Sequence, residues 1–209
     1  RYISVTGVQT CALPIFTDVD LTDVGHTVSI TNVVASGVTT GLTLDNASLL
    51  GLVTTGTVTK LSGSTSGSTN LNFSAPASAL DYLGQGEVLT LTYTVSVDDG
   101  DGGSDTEPVI ITITGSNDGP TLSAFSAPVD TTNEDTVVEI TLADLLAQGN
   151  EVDVDGSVNA FVVKAVSSGS LKIGTSEASA QPWNASTNAD RKSTRLNSSH
   201  TDISRMPSS

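Results

Sequence analysis

The side chains of this chain that could do chemistry are nearly all carboxylates, and they recur where strand-like runs end. The stretch Glu87–Asp101 (EVLTLTYTVSVDDGD) closes on Asp98, Asp99 and Asp101, and 108–120 (PVIITITGSNDGP) closes on Asn117 and Asp118 ahead of Pro120. Glu134 and Asp135 follow, then Asp153 and Asp155 with one valine between them; Asp18 and Asp20 show the same spacing near the start. Carboxylates and amide oxygens gathered where one run of strands gives way to the next suit a hard cation, because calcium takes about six to eight oxygen ligands. On an extended backbone, residues two apart point the same way, so each alternate-acid pair offers its carboxylates to one side. Glu151, Asp153, Asp155 and Gly156 also imitate the opening of an EF-hand loop. The twelfth position would be Val162, however, and the helix–loop–helix reading fails without its bidentate Glu.

Each acidic group has a plainer reading beside the metal one. Asn117, Asp118 and Pro120 would also make an ordinary turn, and Asp98, Asp99, Asp101 and Asp105 sit in a Gly-rich hairpin where Asp is common. Catalysis has less to stand on. His26 opens an alternating strand and is expected as a surface or sheet-edge histidine. No Gly-x-Ser-x-Gly elbow occurs, since 63–67 carries Thr at its centre. The Gly-rich nonapeptide of calcium β-rolls is absent as well.

The two ends stand apart from the rest. Val5–Ile15 (VTGVQTCALPI) can be encoded by a DNA string whose reverse complement, read one base in, encodes Asp190–His200 (DRKSTRLNSSH). That string resembles a sequencing-library adapter. Residues 1–15 and 190–209 are therefore expected to be adapter-derived, with no consistent docking in the core, and the authentic part to be an internal fragment of about 16–189. Between those limits lie 21 acids against Lys60, Lys164 and Lys172, a net charge of −18. Such a surplus repels nucleic acid and anionic membranes and attracts divalent cations. The one Cys is in the N-terminal end, so disulfides are not available as staples and bound metal is the evident substitute. No apolar run approaches the roughly 18 residues needed to cross a bilayer.

The elements that must position these acids read as all-β. Residues 26–34, 56–61, 70–73, 88–97 and 109–114 alternate with period two, the pattern of half-buried strands. Several such strands at short spacing indicate an antiparallel sandwich. The stretch 61–70 reads as a flexible loop, and 77–84 and 142–147 as short helical connectors. A first domain is expected over 16–120. A second, over 121–189, is expected with strands at 136–142, 158–166 and 171–173, truncated and with an exposed sheet edge.

The segments 16–29 (FTDVDLTDVGHTVS), 79–91 (ALDYLGQGEVLTL) and 93–120 (YTVSVDDGDGGSDTEPVIITITGSNDGP) together resemble the VCBS repeat, a cadherin-like module of very long bacterial RTX-type adhesins. Residues 133–189 resemble a module that often follows it. The resemblance implies tandem Ig-like Greek-key β-sandwiches in a stalk, secreted by a type I pathway and held at the bacterial surface. It also implies Ca2+ at domain junctions. In the wider cadherin-like group the ligands are a Glu about thirty residues before the linker, an Asn-Asp linker, an early Glu in the next domain and a later Asp-x-Asp. Glu87, Asn117-Asp118, Glu134 or Asp135, and Asp153/Asp155 match in that order. Gly-Gln-Gly before Glu87 departs from the group's pattern and the linker is shorter, which implies a weak site of about 10⁻⁴ to 10⁻³ M. Asp18 and Asp20 would serve an upstream junction, and Asp99 and Asp101 a site within the domain.

The implied function is a non-enzymatic, calcium-stiffened extender in adhesion. Its partners would be neighbouring repeats, with cell-surface or matrix ligands bound by other domains and neither nucleic acid nor membrane insertion involved. Two alternatives stay open: an accessory module of a large secreted polysaccharide hydrolase or protease, and a module that binds glycans directly.

Overall fold

The computed structural model describes residues 2–5, 10–12, 15–133, 136–166, 169–174, 177–184, 186, 192–193 and 195–199, with side chains over 15–133, 136–166, 169–174, 178–184 and 186. The chain divides into two compact units, Arg1–Asn117 and Asp118–Ser209. Regular structure in both is mostly strand in antiparallel sheets, with few helices. Among the described residues no helix is long and apolar enough to cross a membrane.

In chain order the first unit runs β1 (Tyr2–Val5), β2 (Thr10–Ala12), β3 (Ile15–Thr17), β4 (Thr27–Gly37), α1 (Asn46–Gly51), β5 (Val53–Thr55), β6 (Thr59–Lys60), β7 (Ser66–Ser68), β8 (Leu71–Phe73), β9 (Val88–Asp98) and β10 (Ser104–Thr114). Its largest sheet has the order β1-β10-β9-β4, and β2-β8-β5 and β3-β7-β6 form three-stranded sheets. The alternation along β9 decides what faces inward: Leu89, Leu91, Tyr93 and Val95 are buried. Across the register they meet β10 in the pairs Leu89–Ile113, Leu91–Ile111 and Tyr93–Val109. Val53, Leu71 and Phe73 from the β5/β8 sheet join the same core, each apolar side chain contributing about 1.5–3 kcal/mol by leaving water.

A short helix, which the alternation did not announce, closes one end of this core. Asp45 caps α1 by accepting from the Ser48 amide at 2.8 Å. The Tyr93 hydroxyl donates to the Leu49 carbonyl at 2.8 Å, tying helix to sheet, and burial pushes the phenol's pKa well up. Other boundaries also moved. β10 starts at Ser104 because its polar half pairs its backbone with β9 as well as its apolar half does. The expected loop 61–70 contains β7, and 77–84 supplies only a 3-10 turn at Ala77–Ala79.

The second unit has β11 (Val137–Thr141), α2 (Leu142–Gln148), β12 (Phe161–Val162), β13 (Ser170–Ile173), β14 (Gln181–Pro182), β15 (Lys192–Ser193) and β16 (Arg195–Ser199). Ile140, Leu145, Phe161, Val163, Leu171 and Ile173 form its core. Thr141 and Asp144 cap α2 reciprocally, and the Thr141 hydroxyl and amide hold the Asp144 carboxyl below its usual range. Trp183 packs on this core and donates its indole N–H to the Val163 carbonyl at 3.2 Å.

Both ends take part in backbone pairing. β1 lies parallel to Ile110–Ile113 of β10, and β16 lies between β11 and β13. Open strand edges carry unpaired N–H and C=O groups that an extended segment of almost any sequence can satisfy, so backbone pairing there demands little of the side chains.

Candidate cation sites

Two groups of carboxylates come together, one in each unit, and they are built differently. In the first unit Asp18, Asp23 and His26 bring one potential ligand atom each to within 4.8 Å of one another. The loop is shaped by its own acids: Asp18 Oδ1 accepts from the Asp20 amide at 2.8 Å and Asp23 Oδ1 from the Gly25 amide at 3.2 Å. His26 Nε2 lies 2.9 Å from Asp18 Oδ2, off the hydrogen-bonding axis, and the imidazole stacks on Phe16 with centroids 4.9 Å apart. Of the expected surface or sheet-edge histidine, the surface half is corrected: its side chain is 3% exposed, although it directly precedes β4, an edge strand of its sheet.

A lysine already supplies positive charge to that cluster. Lys60 Nζ, fully enclosed, donates to the carbonyls of Asp20 and Asp23 at 2.6 Å each and lies 3.5 Å from Asp18 Oδ2. The Asp20 amide, with Lys60 and His26 beside it, holds the Asp18 carboxyl below its usual range despite partial desolvation. Two carbonyls and a carboxylate around one ammonium resemble a cation shell whose ion is covalently attached. Asp20 therefore contributes its carbonyl here, and no local pattern points to Lys60, which lies forty residues further on.

In the second unit Glu151, Asp153 and Asp155 meet no such ammonium among the described residues. Thr121 and Val152 exchange backbone hydrogen bonds at 2.9 Å as an antiparallel bridge, and Asn150 Oδ1 accepts from the amides of Ser123 and Ala124. Continuing that register sets Asp118 opposite Asp155, where the Asp118 amide donates to Asp155 Oδ2 at 3.0 Å. Along this extended segment the usual polarity is inverted. Val152 and Val154 are exposed, while Glu151, Asp153 and Asp155 are half-buried. Glu151 Oε2, Asp153 Oδ1 and Asp155 Oδ1 are each shut off from solvent with no hydrogen-bond partner among the described residues. Desolvation, then Asp155 and more weakly Asp118, push the Asp153 carboxyl's pKa up. Gly156 makes the room: a Cβ there would come 2.8 Å from Asp153 Oδ2.

The remaining sequence candidates take separate places. Glu87 is exposed and its Oε2 accepts from the Gly84 amide at 3.0 Å; the Asn117 amide donates to Gln85 Oε1 at 3.4 Å. Both arrangements are internal to the first unit. Asp99 Oδ1 accepts from the Asp101 and Gly103 amides at 2.7 and 2.9 Å, in a turn where Gly100 and Gly102 have positive φ. Those amides hold its carboxyl low, so Asp99 shapes the hairpin and Asp101 is one of its backbone donors. Glu134 and Asp135 lie outside the described residues. The alternation at Asp153 and Asp155 was readable in the sequence, and Glu151 shared its parity; the Asp118–Asp155 pairing required the bridge. The chain matches no protein-family model and no curated protein.

Proposed function

We propose that the chain is a non-enzymatic, calcium-binding repeat segment of a large secreted bacterial surface adhesin, built of cadherin-like Greek-key sandwiches of the VCBS type. One observation carries the calcium part: three carboxylates turned inward on Glu151–Asp155, each with a buried oxygen that no described residue satisfies, while the intervening valines face out. Buried anionic oxygens left unpaired are costly, and a divalent cation is the ligand that relieves all three at once. Among hard cations calcium fits best, because an irregular set of carboxylates around a flexible segment suits its variable geometry better than magnesium's strict octahedron. Glu151, Asp153 and Asp155 would hold the ion, with Asp118 supplying further negative charge. Bound there, calcium would pin 150–155 against 118–124 and stiffen the start of the second unit. The acidic composition and the order of motifs support the adhesin setting, where a repeated unit lengthens a stalk without needing a new fold.

Calorimetric titration of the full chain with calcium chloride tests the reading. Saturable uptake at about 10⁻⁴ to 10⁻³ M is expected, lost in Asp153→Asn/Asp155→Asn. Absence of uptake, or uptake indifferent to that double substitution, would sink it.

A further inference from the structure

Lys60, fully enclosed, sits in an arrangement that an ion pair leaves incomplete. In the β3-β7-β6 sheet Phe16 and Lys60 both pair with Gly67, one from each side. Residues directly opposite across strands point to one face, and Asp18 follows Phe16 with the same parity. Gly67 carries no side chain, and a Cβ there would collide with the Phe16 ring, so the lysine can cross its neighbour strand to reach Asp18. Nζ gives two of its N–H groups to the Asp20 and Asp23 carbonyls at 2.6 Å each, which leaves its third position for the Asp18 carboxylate. That last contact is 3.5 Å long, whereas a charge-assisted hydrogen bond closes to about 2.7–2.9 Å. Asp18 Oδ2 is buried with no hydrogen-bond partner among the described residues, although His26 Nε2 lies only 2.9 Å away. The other oxygen, Oδ1, is held by the Asp20 amide at 2.8 Å.

We propose that Lys60 and Asp18 condense in the folded chain into an intramolecular amide, a covalent tie between β6 and the loop after β3. One proton passes from Nζ to Oδ2. The amine keeps its two remaining N–H groups on the Asp20 and Asp23 carbonyls, and its freed lone pair forms the Nζ–Cγ bond. The negative charge that develops on Oδ1 is met by the Asp20 amide. The Cγ–Oδ2 bond then breaks: His26 Nε2 lends Oδ2 its second proton and recovers one from Nζ, and Oδ2 leaves as water. Ammonium and carboxylate become amide and water, with no oxidant, no reductant and no change in net charge. The oxygen expelled is the one that the fold leaves without a partner. Groups held in place in this way react at effective concentrations of about 10⁵–10⁸ M, which dilute reactants lack. The ion pair is the state before that step, and the tie is a staple that needs no cysteine.

Intact-mass measurement of the full chain, kept folded in chelator at neutral pH and then unfolded in acid, reads the step directly. A species one water lighter should accumulate, at least about tenfold more slowly when the chain is held in urea. Digestion should yield a branched peptide that joins the segment around Asp18 to the segment around Lys60. Lys60→Arg, which keeps a cation and its donors, and Asp18→Ala should each abolish both signals. Asp-Gly steps such as Asp99-Gly100 and Asp155-Gly156 can also lose water by cyclising on their own backbone, but that product opens in hydroxylamine whereas the amide survives it. Unchanged mass with no branched peptide would overturn the proposal. So would a water loss that persists in Lys60→Arg, forms equally fast in urea or disappears in hydroxylamine. None of these outcomes depends on whether the second unit binds calcium.

Discussion

The acidic loop 18–23 and the acidic segment 151–155 begin from the same sequence device, carboxylates one residue apart, and reach opposite electrostatic solutions. In the first, Lys60 delivers an ammonium into the cluster from a distant strand. In the second, no described cation meets the buried oxygens of Glu151, Asp153 and Asp155. An acid pair in a sequence therefore does not identify a metal site. What separates the two is whether the fold brings its own positive charge, and that is settled by tertiary placement alone.

The largest effect that would break this contrast comes from Lys60→Met. Removing the ammonium strands two carbonyls and should cost about 3 kcal/mol, the worth of two charged hydrogen bonds, in urea denaturation of the first unit, equally with calcium and with chelator. A loss that calcium restores would mean that the loop is a metal site after all. Next comes calcium itself. At about ten- to a hundredfold excess over the dissociation constant it should stabilise the second unit by about 1.4 to 2.7 kcal/mol. Asp153→Asn should remove that gain, yet raise the stability of the calcium-free protein by relieving repulsion from Asp155 and Asp118.

A smaller effect sharpens the same point through pH. Asp153 is raised from its ordinary value of 3.8, so the folded protein binds this proton more readily than the unfolded one. In chelator, its contribution should make stability rise as pH falls from neutral toward 3.8 and decline as pH climbs through the raised value. Asp18, Asp45, Asp99 and Asp144 are lowered from 3.8, and their contributions are present above that value and lost as pH falls beneath it. Saturating calcium should flatten the upper window and leave the lower one; an unchanged upper slope would remove Asp153 from the ligand set. The smallest effect is expected from Asp101→Ala. Its backbone amide, not its carboxylate, serves the hairpin, so calcium uptake should stay the same and stability should move by less than about 0.5 kcal/mol.

The sheets were legible where one face is buried and one is not. Leu89, Leu91, Tyr93 and Val95 alternate cleanly with polar partners, and β9 lies where that pattern put it. Ser104–Pro108 was not legible because hydrogen-bonded pairing continues past the point where the inward residues stop being apolar. Helix α1 escaped because six residues are too few for a helical period, although Asp45 three positions ahead of Ser48 is a capping signal that could have found it. For the sites, alternation gave the parity of Glu151, Asp153 and Asp155 but not its direction; that the valines face outward follows only from the bridge at Thr121 and Val152. The burial of His26 and the approach of Lys60 depend on contacts between residues far apart in the chain, which no local pattern encodes.

The seat of Trp183 has a practical consequence. It is the chain's single tryptophan, and it is anchored on the core of the second unit through Val163, whereas Tyr82 and Tyr93 both belong to the first. Indole fluorescence thus reports one half of the molecule with no label attached, and alkaline ionisation of the enclosed Tyr93 phenol reports the other. Melting of either half can be watched in the intact chain by its own colour.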